Sequence, residues 1–181
     1  MIRFVLTLII VALAGFAAAP AQAQLDLVPE IRAGLLATDL GSDDALFSPE
    51  RIGNANVELL FSPFGPSLTP LEFRPHVGAT VNFADEPSTG YAGLSATFRL
   101  PMVPVFAEAS LGAAIHNGAL RGDEPDAHFG CTVLGRGSVS VGVDVLPFTS
   151  VMLTAEHLTD GGLCGDSDGQ TNVGVRLGLR F

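Results

Sequence analysis

The chain ends on the stretch NVGVRLGLRF, residues 172–181, in which apolar and polar residues alternate without a break. Val173, Val175, Leu177, Leu179 and Phe181 fall on one face of an extended strand, and polar residues or glycine occupy the other. The same period of two recurs near residues 30–37, 54–61, 73–81, 93–99, 105–112, 138–145 and 151–156. The pattern predicts an all-β protein of eight antiparallel strands.

Alternation does not say which face points inward, because a secreted lipocalin-like barrel shows the same pattern turned inside out. Two features favour an eight-stranded transmembrane β-barrel of the outer-membrane type. The connections alternate between long, polar segments (39–53, 83–89, 117–128, 160–170) and tight ones (100–103, 146–148), as outer loops and periplasmic turns do. A crowded interior also explains why seven glycines share the polar face. They are Gly34, Gly78, Gly93, Gly112, Gly142, Gly174 and Gly178.

Residues 1–23 have the features of a signal peptide. A positive start at Arg3 precedes an apolar run, and the small residues Ala21 and Ala23 flank a cleavage point. The run is shorter than the roughly 20 residues of a spanning helix, which disfavours the alternative of an uncleaved anchor. We therefore expect a barrel domain of residues 24–181 in the bacterial outer membrane. The terminal Phe181 resembles the signal read by the outer-membrane assembly machinery.

A net charge of -10, with no lysine, argues against a nucleic-acid partner. Acidic residues in the long loops form either a solvated anionic rim, which we prefer, or weak sites for divalent cations. The loop acids are Asp39, Asp43, Asp44, Glu50, Asp85, Glu86, Asp123, Glu124, Asp126, Asp160, Asp166 and Asp168. His116 and His128 flank one acidic loop, but we predict no metal site and no cofactor.

A second group of charges is predicted to point into the lumen, where opposite charges can pair away from lipid. Its members are Arg32, Arg74, Arg99, Arg176, Arg180, Glu30, Glu58, Glu108, Asp144 and Glu156. We expect side chains to fill the lumen.

The two cysteines, Cys131 and Cys164, lie at the third and fourth long loops. In an oxidising compartment a disulfide between them would tie neighbouring outer loops together. Two free thiols are the alternative.

The segment AEHLTDGGLC, residues 155–164, is followed by GQTNVGVRLGLRF at 169–181. Together they resemble the PagL family of outer-membrane lipid A 3-O-deacylases. That family reads Glu-His-x-Ser-Asn-x-Gly at the end of its seventh strand and closes on an alternating strand with a terminal aromatic residue. Weaker similarity extends upstream through residues 34–36, 58–61, 74–76 and 112–118. The resemblance implies an eight-stranded barrel.

It also implies hydrolysis of the ester-linked 3-hydroxyacyl chain of lipid A by a serine, a histidine base and an acidic orienting residue. His157 matches the base, Thr159 stands at the nucleophile position and Thr171 at the acid position. Strand parity turns all three toward lipid near the outer leaflet.

Three positions depart from the family, and the first is Thr159, a threonine where the family has the serine nucleophile. Thr171 cannot stabilise an imidazolium as a carboxylate does, and Asp166, Asp168 or Asn172 are candidate replacements. Asp160 replaces the family Asn, so an oxyanion hole would depend on the backbone N–H groups of Gly161 and Gly162.

Two functions follow from the sequence. One is an ester hydrolase of reduced activity that acts on lipid A of lipopolysaccharide within outer-membrane lipid. The alternative is a non-catalytic barrel with a degenerate deacylase site, which is structural or binds lipopolysaccharide.

Overall fold

The computed structural model describes residues 29–38, 52–64, 70–83, 86–118, 129–164 and 169–181. The strands are β1 (Glu30–Thr38), β2 (Ile52–Leu60), β3 (Leu71–Asn82), β4 (Thr89–Arg99), β5 (Val105–His116), β6 (Val133–Leu146), β7 (Thr149–Thr159) and β8 (Gln170–Arg180). Each strand pairs antiparallel with the next, and β8 pairs with β1 to close a barrel. The predicted eight-stranded fold is confirmed.

In the part of the chain that the structure describes, no helix is long and apolar enough to cross a membrane. The predicted signal peptide lies outside the described residues, and so do His128 and most of the predicted loop acids. These acids are Asp39, Asp43, Asp44, Glu50, Asp85, Asp123, Glu124, Asp126, Asp166 and Asp168.

Alternation along the strands separates an apolar outer face from a polar lumen. On β6, Val139 and Val141 are exposed, whereas Ser138 and Ser140 between them are buried. The outward row of β8 is likewise exposed from Val175 onward. Exposed valine and leucine rows on a closed barrel fit contact with lipid, since water would leave this apolar surface unfavourably hydrated.

The lumen is filled by a network of ion pairs. Arg32 is fully buried and donates to Glu108 Oε2 at 2.8 Å, to Glu30 Oε1 at 2.7 Å and to Glu58 Oε1 at 3.2 Å. All ten charged side chains predicted for the lumen take part in such contacts. Mutual pairing matters because a buried charge that loses its partner is strongly destabilising.

Glycines on the polar face permit close packing of the lumen, as predicted. Gly93 and Gly112 are directly opposite each other on β4 and β5, and a Cβ on either would lie 2.8 Å from the Cα of the other. A side chain at either position would therefore force the strands apart.

Two details of the strands differ from the prediction. β6 begins at Val133, whereas the alternation placed its start near residue 138. The first part of the strand was missed because Gly135 and Gly137 occupy its outward row, where apolar residues would have marked the alternation. Arg136, between them, consequently joins the lumen network, where its NH2 donates to Glu156 Oε2 at 2.7 Å. Ala37 was expected to face outward, but a register shift after Leu36 leaves it buried.

Candidate functional site

The candidate site lies where β7 ends and β8 begins, on the outer face of the barrel. His157 and Thr171 form a cross-strand pair, and the Nδ1 atom of His157 lies 2.9 Å from the Thr171 hydroxyl oxygen. His157 is exposed, whereas its neighbours Glu156 and Leu158 are buried. The alternation that orders the apolar rows of β7 therefore carries this histidine outward, as parity predicts.

The contact with Thr171 distinguishes the two nitrogens of the imidazole. In the tautomer with a proton on Nδ1, the ring donates to the Thr171 hydroxyl and leaves Nε2 free to accept a proton. A Cβ added to Gly169 would lie 3.5 Å from Nε2, so the glycine leaves space beside this atom. In a Ser-His-Asp triad the acid contacts Nδ1, the nitrogen that Thr171 contacts here, but Thr171 has no charge.

Thr159 is the last residue of β7 and lies on the same outward row as His157. Its hydroxyl oxygen accepts a hydrogen bond of 3.0 Å from the Gly161 N–H. Among the described residues, no hydrogen bond links Thr159 to the His157 ring. The hydroxyl proton is nevertheless available, since accepting from an amide does not use the single O–H donor.

The turn after Thr159 is organised by a buried carboxylate. The Leu163 N–H donates to the Asp160 carbonyl at 3.3 Å, and Gly161 and Gly162 have φ values of 67° and 75°. Two successive positive φ values are those of a type I′ turn, which favours glycine. The Asp160 side chain accepts from the N–H groups of Gly162 at 2.9 Å and Cys164 at 3.1 Å.

This turn changes two expectations. The N–H groups of Gly161 and Gly162 were expected to be available to a substrate oxyanion, but they already donate to Thr159 and to Asp160. For Gly162 the reason is that an ionised carboxylate only accepts hydrogen bonds and therefore draws an amide donor toward itself. Asp160 is also buried and does not belong to a solvated rim, whereas Glu86 is exposed as expected.

The predicted disulfide is present. Cys131 and Cys164 are bonded, with 5.6 Å between their Cα atoms, and they join the segment before β6 to the turn after β7. With Asp160 they bring three potential metal-ligand atoms within 4.8 Å of one another. Sulfurs in a disulfide are not thiolates, so this group offers no metal site while the bond is intact.

His116 and Asn172 take structural roles in this region. The Nε2 atom of His116 lies 2.6 Å from the Cys131 carbonyl oxygen, and its ring contacts that of Phe129 at 4.7 Å between centroids. Asn172, a candidate replacement for the missing acid, is buried in the lumen and donates to Glu156 at 2.9 Å. It therefore points away from His157. Asp166 and Asp168 lie outside the described residues.

Two outward glycines leave open space beside the candidate site. Gly135 lies opposite Thr159 and Gly137 opposite His157 in the pairing of β6 with β7. A Cβ at either position would meet nothing closer than 3.4 Å, so crowding does not require these glycines. Next to them, Leu111 on β5 is 74% exposed. In the sequence, this open space is marked by two glycines on an outward row of β6 that otherwise consists of valines.

A family model described as "Lipid A 3-O-deacylase (PagL)" matches residues 89–180, which extend from β4 to the end of β8. The crystal structure of the outer membrane enzyme PagL matches with a TM-score of 0.62 and 16% identity, covering 84% of this chain and 99% of that chain. Neisserial surface protein A matches at 0.50 and 12% identity, covering 84% and 95%. The N-terminal barrel domain of Pseudomonas aeruginosa OprF matches at 0.50 and 8% identity, covering 86% and 99%. No curated protein sequence matches.

Proposed function

Since the chain belongs to the PagL family of lipid A 3-O-deacylases, which matches residues 89–180, we propose that it is an outer-membrane ester hydrolase. It removes a 3-hydroxyacyl chain from lipid A of lipopolysaccharide. The observation that carries the proposal is the 2.9 Å contact between His157 Nδ1 and Thr171 on the outward face of the barrel. Export through the leader at residues 1–23, and recognition of Phe181 by the outer-membrane assembly machinery, belong to the same proposal.

The proposed reaction uses the Thr159 hydroxyl as nucleophile. Its oxygen attacks the ester carbonyl carbon while its proton passes to Nε2 of His157, which gives a tetrahedral intermediate. The intermediate expels the sugar oxygen, which takes the proton back from His157. Water then attacks the acyl-threonine by the same route, and this releases the 3-hydroxy fatty acid and restores the hydroxyl.

The location of the site supports a lipid substrate. An ester of lipid A lies in the outer leaflet. An outward-facing catalytic group at the end of the barrel that carries His157, called here the upper end, can reach this ester laterally. Gly135 and Gly137 leave the surface beside Thr159 and His157 open to such an approach. A polar pair facing lipid is otherwise unfavourable, so its presence on this row supports a functional role.

The same geometry supports slow hydrolysis. Replacing the carboxylate of a triad by a neutral group lowers the rate about 10⁴-fold in a serine protease, and Thr171 is neutral. The N–H groups that could bind an oxyanion are engaged within the Asp160 turn. The methyl group of threonine also restricts rotation of its hydroxyl.

Expression in a host whose lipid A retains its 3-O-acyl chains tests this proposal. We expect mass spectrometry to show loss of one 3-hydroxyacyl chain with the wild-type protein and none with His157→Ala. Thr149→Val, at the other end of the row that contains His157, controls for a general effect of substitutions on the barrel. Unchanged lipid A with folded wild-type protein would contradict the proposal.

A second candidate function is a non-catalytic barrel that is structural or binds lipopolysaccharide. It is favoured by the engaged amides of Gly161 and Gly162 and by the neutral Thr171. The double variant Thr159→Ser with Thr171→Glu separates the two. Hydrolysis by the double variant alone would support a degenerate site in the natural chain.

A further inference from the structure

We infer that the two apolar turns at the lower end of the barrel, residues 100–104 and 146–148, are embedded in the phospholipid of the inner leaflet. The lower end is the one opposite His157, where β4 meets β5 and β6 meets β7. The inference rests on the membrane location in the proposed function and is independent of catalysis.

The composition of the apolar turns is unsuited to water. They read LPMVP and LPF, without a charged residue. The side chain of Met102 is fully exposed, that of Phe148 is 66% exposed and that of Leu146 is 62% exposed. Turns are dominated by Gly, Pro, Asn, Asp and Ser, and these two turns contain proline but none of the polar residues. A cluster of large apolar side chains at a barrel end indicates contact with an apolar partner.

Three charged residues at this end pair with one another on the lumen side, which leaves the outer face beside the turns apolar. Arg99 donates to Asp144 Oδ2 at 2.9 Å, and Arg180 donates to Asp144 Oδ1. The Arg99 guanidinium also lies 4.9 Å from the centre of the Phe106 ring. The three charged side chains thus lie at the lower opening of the lumen. On the outer face, the exposed Val145 and Phe181 continue the lipid-facing surface into the apolar turns.

The length of the barrel favours lipid as the partner. From Thr171 to Phe181, ten steps of about 3.4 Å along a strand tilted by about 40° span roughly 26 Å along the barrel axis. This matches the apolar band of about 25 Å on outer-membrane barrels. If the apolar turns lay in water, the hydrocarbon layer of the membrane would be shifted toward the upper end of the barrel. It would then cover His157 and the Asp160 turn.

The absence of tryptophan from the chain allows a direct test. Single tryptophans are introduced as Met102→Trp and Phe148→Trp in the apolar turns, as Val141→Trp in the middle of the outer face, and as Thr132→Trp at the upper rim. Each full-length variant is folded into phosphatidylcholine vesicles with or without bromine on the acyl chains. Iodide serves as the aqueous quencher, and only protein that migrates as a folded barrel is measured.

We expect Met102→Trp and Phe148→Trp to behave like Val141→Trp, with short-wavelength emission, strong quenching by brominated lipid and little quenching by iodide. Thr132→Trp should show the reverse. If iodide quenches the turn variants while brominated lipid quenches Val141→Trp, the inference about the turns is overturned and the membrane location stands. Protection from both quenchers would indicate a second protein copy and would also overturn it. A Val141→Trp that lacks lipid quenching would refute the membrane location itself.

Discussion

Replacing Thr171 by glutamate should accelerate hydrolysis, because it restores a negative charge beside His157. The hydroxyl oxygen of Thr171 now lies 2.9 Å from His157 Nδ1, so a carboxylate at this position can reach the same nitrogen. A charge pair about 4 Å apart is worth roughly 1 kcal/mol in bulk water and roughly 4 kcal/mol near a protein surface. His157 is exposed, so we take an intermediate value of about 1.4 to 2.7 kcal/mol, which is about a 10- to 100-fold gain.

The assay is the release of 3-hydroxy fatty acid from lipid A in vesicles, measured as kcat/KM for wild type, Thr171→Glu and Thr171→Gln. Glutamine has the length of glutamate without its charge, so it separates electrostatic stabilisation from packing. Equal rates for the two variants, or a rate for Thr171→Glu no higher than that of wild type, would refute the assignment of Thr171 to the orienting position.

Three further results are expected. Thr159→Val should abolish fatty-acid release, whereas Thr149→Val at the other end of the same row should retain it; equal loss in both would point to a general effect on the barrel. Arg32→Met should lower the free energy of unfolding in urea by about 3 to 5 kcal/mol, because it leaves the buried Glu108 carboxylate without its arginine partner; an unchanged midpoint would contradict the network. Reductant should lower the free energy of unfolding of wild type by about 3 to 4 kcal/mol, given the 33-residue separation of Cys131 and Cys164. It should leave the variant with both Cys131→Ser and Cys164→Ser unaffected.

The strands were most predictable where alternation was strict. β8 alternates apolar residues with polar ones or glycine along almost its whole length, and β7 does so from Leu153 to Glu156, so parity assigned His157 to the outward row. β6 was less predictable, because Gly135 and Gly137 stand where apolar residues would have marked the outward row at the start of the strand. Arg136 was therefore missed, although it lies between the glycines and faces the lumen.

The hydrogen bonds of the candidate site were not accessible from the sequence. The contact between His157 and Thr171 depends on the register of β7 against β8, which the lengths of the connecting segments do not determine. Because Asp160 replaces the family Asn, the sequence suggested that an oxyanion hole would depend on the amides of Gly161 and Gly162. The Gly161 amide instead donates to the Thr159 hydroxyl, and the Gly162 amide donates to Asp160, a carboxylate in place of an amide side chain.

Hydrolysis of lipid A by the purified protein tests the central claim most directly. Wild type and His157→Gln are folded into vesicles that contain lipid A with intact 3-O-acyl chains, and the products are identified by mass spectrometry. We expect wild type to release one 3-hydroxy fatty acid per lipid A, with a matching loss at position 3, and His157→Gln to release none. Intact lipid A after prolonged incubation with folded wild type, or equal release by His157→Gln, would contradict the account.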